Sequence, residues 1–224
     1  IPNVVRMSSA DTFCDRPVFR NSFLSLTMNE QYVKASLTEA RVGLDALINN
    51  ETMIERIASA GHLIALSQQA GGSVYSCGNG GSLCDAMHFA EEMTGRYRED
   101  RKPMRAVAIA DASHMSCVAN DFGYLDVFSR WIEAFGKPTD VLLAISTSGK
   151  SANILKAVLA ARQKGMKVIV LTGRDGTELA DAADVAIVTP AGRWADRVQE
   201  LHIKVIHILI ELVERELAPE NYTE

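Results

Sequence analysis

Five short apolar runs, each separated from the next by a stretch of helical periodicity, constrain this chain more than any other feature. The runs occupy residues 73–77, 105–109, 140–145, 167–171 and 185–188. Strands that alternate with helices form βαβ units, which build a parallel sheet with helices on both faces. The runs are apolar almost throughout, as expected of strands that are buried on both sides. We therefore predict an α/β fold of three layers, α/β/α, around a five-stranded parallel sheet.

Helical periodicity fills the intervals between these runs. Two helices precede the first run, around residues 32–48 and 54–66, separated at Asn49 and Asn50 and ended by Gly71 and Gly72. Further helices are predicted around His88 as far as Gly95, at 113–120, at 125–135, up to Lys164, at 178–182 and at 194–217. Residues 1–27 lack this pattern. We predict that 1–27 is an N-terminal extension outside the fold and that 28–224 is a single domain.

The composition excludes several classes of protein. The 224 residues are 47% hydrophobic and 23% charged, which is enough for one substantial core. A net charge of -5 argues against a general nucleic-acid binder, and no apolar run approaches the ~18 residues of a membrane span. The four cysteines are Cys14, Cys77, Cys84 and Cys117, with no C-x-x-C pair, and Cys77 and Cys117 are expected to be small buried hydrophobes. We predict a cytoplasmic protein with no nucleic-acid or membrane partner.

A glycine-rich turn at 76–82 links the first predicted strand to the next helix. Its glycines let backbone N–H groups approach an anion, and the helix N-terminus adds a favourable dipole. Further along, His88 and Glu92 stand at i and i+4, which places them on one helix face, ~6 Å apart at Cβ. A solvated surface pair is the ordinary explanation of this spacing. The apolar neighbours, which include Phe89 and Met93, favour a buried pair that handles protons or binds a metal.

A serine-rich loop at 146–151 follows the third predicted strand. Its four hydroxyls and one glycine, at the start of a helix, suit a phosphate group. A nucleotide P-loop is excluded, because that motif needs a glycine where Ala144 stands. Helix capping by Ser148 or Ser151 remains an alternative. Both polar loops are expected at the carboxyl edge of the sheet, where ligands bind in such folds.

The last predicted helix is apolar around almost its whole circumference, which suits a central core position or an oligomer interface. Gln199, His202 and His207 interrupt it. Each alone is explained as a core polar group with satisfied hydrogen bonds. At ~100° per residue, Gln199 and His207 lie ~80° apart and can flank one site, whereas His202 lies ~140° from His207.

Several segments together resemble one known family. They are 76–82, 85–92, Asn120-Asp121, 146–149, and Gln199 with His207, and they resemble the bacterial phosphoheptose isomerases, members of the sugar-isomerase (SIS) domain family. The resemblance runs from about Met28 to Glu216. It implies a SIS domain with a flavodoxin-like, doubly wound sheet, assembled as a homotetramer. It also implies conversion of sedoheptulose 7-phosphate to D-glycero-D-manno-heptose 7-phosphate through an enediol, the first step towards the heptose of lipopolysaccharide.

The same resemblance assigns roles by position. Glu92 matches the base and His207 its acid/base partner. One zinc ion per subunit is implied, with ligands at His88, Glu92, Gln199 and His207. The implied substrate contacts are Asn79, Gly80, Gly81, Glu92, Asn120, Asp121, Ser146, Thr147, Ser148, Ser151 and Gln199. Lys150 departs from the asparagine expected in the phosphate loop, although its charge is compatible with phosphate.

Two other functions occur on the same fold. A non-catalytic tetramer of the same family regulates replication initiation by binding the initiator protein. A regulator that senses sugar phosphates would usually carry a DNA-binding domain as well, and 224 residues leave little room for one. Glu92, Gln199 and His207 favour the enzyme, because a scaffold needs no buried proton-transfer groups.

The spacing on the last helix adds an expectation about assembly. Gln199 and His207 are separated by ~12 Å along the helix axis, so both reach one metal only near full stretch. Two copies of the helix that cross at an interface would remove this difficulty. We therefore expect active sites at subunit interfaces, with Glu92 and His207 supplied by different chains.

Overall fold

The computed structural model of the protein describes residues 24–189 and 192–223. The chain divides into two compact units after Leu37, and the described part of the first unit is the beginning of helix α1. The helices are α1 (Leu24–Ile48), α2 (Glu51–Gln69), α3 (Gly81–Thr94), α4 (Ala112–Asp121), α5 (Ser129–Phe135), α6 (Ala152–Gln163), α7 (Glu178–Asp181) and α8 (Ala195–Leu217). The strands are β1 (Val74–Gly78), β2 (Ala106–Ala108), β3 (Val141–Ser146), β4 (Lys167–Thr172) and β5 (Val185–Val188).

The five strands form one parallel sheet in the order β2-β1-β3-β4-β5, which confirms the predicted fold class. The order changes direction between β1 and β3, where a doubly wound sheet offers a crevice for ligands. Gly78 at the end of β1 is in register with Ile145, and Ser146 is in register with Thr172. The loops after β1 and β3 therefore emerge side by side at the carboxyl edge.

All six residues of strand β3 are buried, which shows that the sheet is covered on both faces. Leu143 and Ile145 belong to an apolar cluster with residues of α2, α3 and α8. Leu142 and Ala144 belong to a second cluster with residues of α5 and α6. Alternate residues of a strand point to opposite faces, so one strand supplies both cores. Helices α3 and α8, which carry the catalytic and metal-ligand candidates, lie on the same face.

Two local predictions are wrong. The helix predicted over 125–135 begins only at Ser129, after a 3₁₀ turn at Tyr124–Asp126. The His114 ring donates a hydrogen bond to the Val127 carbonyl at 2.9 Å, so this carbonyl is engaged by a side chain. Cys117 is exposed rather than buried, and its thiol contacts the Asp121 carboxylate one helical turn later at 3.6 Å.

The prediction for the beginning of the chain is not decided by the structure. Residues 1–23 and 190–191 lie outside the described residues, and α1 begins at Leu24. The extension over 1–27 therefore stays a prediction. None of the helices in 24–189 and 192–223 combines the length and the apolar character needed to cross a bilayer.

His202 on α8 is fully buried among apolar residues, and neither ring nitrogen makes a full hydrogen bond within the described residues. Burial lowers its pKa from 6.5 to about 4, while the Thr172 backbone acts in the opposite direction. The folded chain thus holds a neutral imidazole that the unfolded chain would protonate. The expected core position is confirmed, although satisfaction of its hydrogen bonds is not.

This histidine predicts a pH dependence of stability. Its folded-state pKa is depressed, so its contribution is complete above pH 6.5 and is lost as the pH falls towards 4. The full loss corresponds to about 3 kcal/mol in the free energy of unfolding. Urea unfolding between pH 4.5 and 7.5 measures most of this loss. In His202→Gln the dependence should shrink, whereas the exposed His62→Gln should keep the parent's slope. Equal slopes in all three proteins would contradict this account.

Candidate active site

The turn between β1 and α3 is closed by three glycines, each for a steric or conformational reason. Gly80 has φ +55°, a conformation that side chains disfavour. A Cβ at Gly78 would lie 2.4 Å from the Ser82 carbonyl oxygen, and one at Gly81 would lie 2.5 Å from the Gln199 side-chain nitrogen. The backbone is therefore bare where the helix begins. The predicted glycine turn is thus present, and its binding of an anion stays a prediction.

The amide of Asn79 within this turn is held by its neighbours. Asn79 and Asn153 exchange two hydrogen bonds of 2.9 Å through their side-chain amides. The Tyr124 hydroxyl donates to Asn79 Oδ1 at 3.2 Å, a contact that no sequence signal indicates. The pair Asn120 and Asp121 ends α4 three residues before Tyr124, with Asn120 donating to Asp121 at 2.7 Å. The segment that follows α4 thus contacts the glycine turn through Tyr124.

The loop after β3 turns its hydroxyls towards each other rather than into a helix cap. Ser146 Oγ and Ser151 Oγ lie 2.9 Å apart. Ser151 occupies the N-cap position of α6 but makes no side-chain capping bond. Ser148 Oγ accepts a bond from the Lys150 N–H at 3.2 Å, and Gly149 has φ +65°. Simple capping therefore does not account for the four hydroxyls.

Two arginines missed by the sequence analysis stand beside this loop. Arg174 and Arg193 line a cavity of about 120 Å³ together with Thr147 and Ser148. Arg174 lies in the loop that follows β4, and Arg193 precedes α8. Guanidinium groups are suited to phosphate oxygens. Only the sheet order brings these distant segments to the loop, so no local pattern could have identified them.

Three candidate side chains meet between α3 and α8. His88 Nε2 lies 2.9 Å from His207 Nε2 and 3.6 Å from Glu92 Oε1. Ligand atoms of all three residues lie within 4.8 Å of one another. The i, i+4 spacing predicted the first pair, and the structure adds His207 across 119 residues of sequence. A carboxylate and two imidazoles thus form one cluster.

The surroundings of His207 favour its neutral form, in which a ring nitrogen can bind a metal or accept a proton. Burial lowers the pKa of His207, and the nearby His88 lowers it further, while Glu92 acts in the opposite direction. His88 Nδ1 lies 3.1 Å from the Glu91 carboxylate, which leaves its Nε2 facing His207. A carboxylate behind a histidine is the usual outer partner of a metal ligand. A neutral His207 can act either as a ligand or as a proton carrier.

This donor set fits a zinc ion. Imidazole nitrogens and a carboxylate oxygen are typical zinc ligands. The Nε2 atoms of His88 and His207 lie 2.9 Å apart, which is close enough for both to bind one ion at about 2 Å each. Three protein ligands leave room for a fourth ligand, and catalytic zinc can also expand its coordination to take water or substrate. His88, Glu92 and His207 could therefore hold zinc within one chain.

Gln199 is not part of this cluster within one chain. Its side-chain amide lies against Gly81 at the start of α3, two helical turns before His88. It therefore borders the glycine turn, where a substrate contact was predicted. The expectation that Glu92 and His207 come from different chains is wrong for the described chain, because α3 and α8 of one chain bring them together. Because Gln199 lies eight residues before His207 on α8, it is the predicted zinc ligand that stays apart from the cluster.

Asp85 is a further acid that the sequence analysis missed. It stands at i−3 from His88 and i−7 from Glu92, so the three share one face of α3. Its Oδ2 is buried and has no hydrogen-bond partner among the described residues. Burial raises the pKa of Asp85 to about 6, an effect that His88 partly offsets. Extending the helical stripe backwards from His88 would have revealed it.

Comparison with known proteins agrees with this geometry. The model of the SIS domain family matches residues 38–173. The phosphoheptose isomerase of Proteus mirabilis is 59% identical over 190 residues, which cover 85% of this chain and 99% of that protein. The matched family region includes the glycine turn, α3 and the serine-rich loop, so sequence similarity coincides with the site.

Two solved structures are similar over nearly their whole length. The phosphoheptose isomerase of Neisseria gonorrhoeae has a TM-score of 0.76 and 38% identity, covering 83% of this chain and 98% of that one. The Francisella tularensis phosphoheptose isomerase has a TM-score of 0.75 and 31% identity, covering 85% and 98%.

Proposed function

This chain belongs to the phosphoheptose isomerase family of SIS-domain proteins, and we propose that its active site works with one zinc ion per subunit in a homotetramer. The chain is an aldose–ketose isomerase that converts sedoheptulose 7-phosphate to D-glycero-D-manno-heptose 7-phosphate. The observation that carries the mechanism is the cluster of Glu92, His88 and His207, two turns along α3 from the glycine turn.

The reaction moves a carbonyl group between neighbouring carbons. Glu92 takes a proton from C1 of the ketose, and the C–H electron pair forms the C1–C2 double bond while the C2–O double bond opens and O2 takes a proton, which gives an enediol. The O1 proton is then lost as the C1–O double bond forms, and return of the proton from Glu92 to C2 gives the aldose. His207 moves protons between the two oxygens, a task for which a neutral imidazole is suited near pH 7.

One carboxylate can serve both proposed roles of Glu92. Its Oε1 lies 3.6 Å from His88 Nε2, towards the two imidazoles, and its second oxygen remains to accept the proton. When bound by His88, Glu92 and His207, zinc would supply a positive charge that stabilises the negative charge developing on the substrate oxygen. The partly buried carboxylate lies in surroundings where such charges interact strongly.

Zinc removal tests the metal proposal. Dialysis against a chelator should abolish activity, and added zinc should restore it, because the ion completes the charge stabilisation. Calorimetric titration should find about one zinc per chain in the parent and no comparable site in His88→Ala. His62→Gln, an exposed histidine, is the control and should bind normally. A metal-free protein that keeps full activity would contradict the proposal.

The phosphate group of the substrate is assigned to the serine-rich loop. Support comes from the paired hydroxyls of Ser146 and Ser151 and from Arg174 and Arg193, which line the adjoining cavity. The glycine turn, with Asn79, Gly80 and Gly81, and the α4 end, with Asn120 and Asp121, are assigned to the sugar. Among the four hydroxyl residues of the loop, Ser148 is the exposed one, so it can be changed with the least effect on the core.

We expect Ser148→Ala to raise KM about tenfold and to change kcat less, because the lost hydroxyl binds substrate and transition state alike. Inorganic phosphate should compete with the substrate. Steady-state kinetics of parent and variant measure both effects. Ser113→Ala, which alters a hydroxyl at the start of α4, is the control. The assignment fails if phosphate does not inhibit and sedoheptulose without phosphate reacts equally well.

The homotetramer is supported by an apolar groove beside the cluster. Leu44, Leu47, Ile48, Ile54, Ile57 and Ile208 contribute to a groove of about 410 Å³ that also contains His207. Ile48, Ile54 and Ile208 are exposed there, and exposed apolar surface of this kind marks an interface. A second copy seated there could bring the partner subunit's Gln199 to the metal as a fourth ligand. The active site would then lie at a subunit interface.

We further assign the reaction to the first step of the heptose pathway of lipopolysaccharide, in the cytoplasm. The compartment is supported by Cys77, Cys84 and Cys117, which are free thiols. The regulator of replication initiation has no comparable support, because a scaffold needs neither the proton-transfer cluster nor the serine-rich loop.

A further inference from the structure

A buried ion pair joins the segment between α3 and β2, which contains Arg101, to α8 beyond the catalytic cluster. Arg101 Nε donates to Glu214 Oε1 at 2.8 Å, and the two side chains are 2% and 0% exposed. The Tyr222 hydroxyl donates to the other carboxylate oxygen at 2.8 Å. Glu214 is thus fully engaged although it is shielded from water. Nothing in the reaction described above uses these three residues.

The rest of the guanidinium group holds the end of α3. Arg101 Nη2 donates to the Glu92 carbonyl at 2.7 Å, and Nη1 donates to the carbonyls of Met93 and Gly95 at 2.9 and 2.8 Å. Carbonyls at a helix C-terminus lack partners within the helix, and a cation is favourable there. One of the three belongs to the residue proposed as the base.

The other end of the link lies on the helix that carries His207. Glu214 follows His207 by seven residues, which is two helical turns and nearly the same face of α8. Arg101 therefore ties the backbone of Glu92 to the helix of its catalytic partner. A shift of the α3 end would change the distance between the Glu92 carboxylate and the His207 ring.

Stability alone does not explain this arrangement. Two charges removed from water carry a large desolvation cost, and a well-packed apolar replacement of a buried pair is often neutral or stabilising. An apolar side chain, however, cannot donate hydrogen bonds to three carbonyls. We propose that Arg101, held by Glu214 and Tyr222, is a positioning residue that sets the place of Glu92 opposite His207. This inference rests on the proposed role of Glu92 as the base.

The test is a variant that keeps the packing but removes the donors, Arg101→Met with Glu214→Leu. We expect it to unfold in urea close to the parent's midpoint, to keep KM within about twofold and to lose about 10²-fold in kcat, since a misplacement near 1 Å costs about that much. Lys167→Met, which removes the surface pair with Asp184 at 3.0 Å, is the control and should keep the parent's kcat. A stable double variant with kcat within twofold of the parent overturns the proposal.

Milder variants cover the case in which the double variant does not fold. Tyr222→Phe and Glu214→Gln each remove part of the network, and each should lower kcat about fivefold to tenfold without raising KM. Unchanged kcat in both, or a raised KM with unchanged kcat, overturns the proposal. Glu92→Gln in the same assay separates the two inferences. If it is inactive while the network variants are fully active, only the positioning role fails. If it is active, the base assignment fails.

Discussion

Glu92→Gln should lose at least about 10⁴-fold in kcat while the fold is kept. An amide cannot take the proton from the substrate carbon, and general acid–base groups alone contribute about 10²–10⁴-fold. The change also weakens the cluster with His88 and His207, so the loss should exceed the ordinary range. Glutamine has nearly the same volume, and the Glu92 side chain is 18% exposed, so unfolding is not the expected cause.

The comparison uses kinetics with sedoheptulose 7-phosphate and the circular dichroism of the folded chain. Glu133→Gln, at an exposed position on α5, is the matched control and should keep the parent's rate. A Glu92→Gln protein with activity within tenfold of the parent would show that another group is the base. Asp85, which lies on the same face of α3, would then be the next candidate.

Mixed oligomers should distinguish residues that act within one chain from those that act between chains. Glu92 and His207 meet within one chain, so chains with Glu92→Ala and chains with His207→Ala should form mixed oligomers that stay as inactive as either parent variant. Every site in such an oligomer lacks one of the two groups. This expectation reverses the one drawn from helix spacing alone.

Mixed oligomers of Glu92→Ala chains and Gln199→Ala chains should, in contrast, recover activity. If the partner subunit's Gln199 completes the metal site, about a quarter of the sites in randomly mixed oligomers receive all their groups. Activity should then rise from background to roughly a quarter of the parent's. Tagged chains purified together verify the mixing. Activity in the mixture with His207→Ala, or no activity in the mixture with Gln199→Ala, would contradict the claim that only Gln199 comes from the partner.

The sequence was sufficient for the fold because each of its signals is local. Five apolar runs with intervening helices determine a parallel sheet, and the edge that carries both loops follows from that. Gly80 and Gly149 stand where φ is positive, so the glycine pattern reported real turns. His88 and Glu92 were paired correctly because helical geometry fixes an i, i+4 neighbour.

The errors and omissions have a common physical origin in contacts between distant segments. The 3₁₀ turn before α5 arises with a bond from His114 to the Val127 carbonyl, and Tyr124 reaches Asn79 across 45 residues. The place of His207 depends on how α8 packs on α3, and a single helix considered alone suggested a second chain instead. Arg101 bonds to Glu214 across 113 residues. No local pattern encodes such pairs.

The central claim is the isomerisation itself, and NMR of sedoheptulose 7-phosphate incubated with the zinc-loaded protein tests it most directly. In D₂O, the resonances of D-glycero-D-manno-heptose 7-phosphate should appear at the expense of the ketose. Deuterium should enter at C2 of the aldose, because the proton on Glu92 exchanges with solvent before it returns. The Glu92→Gln protein should leave the spectrum unchanged. A parent protein, folded and zinc-loaded, that forms no aldose from this substrate would contradict the account.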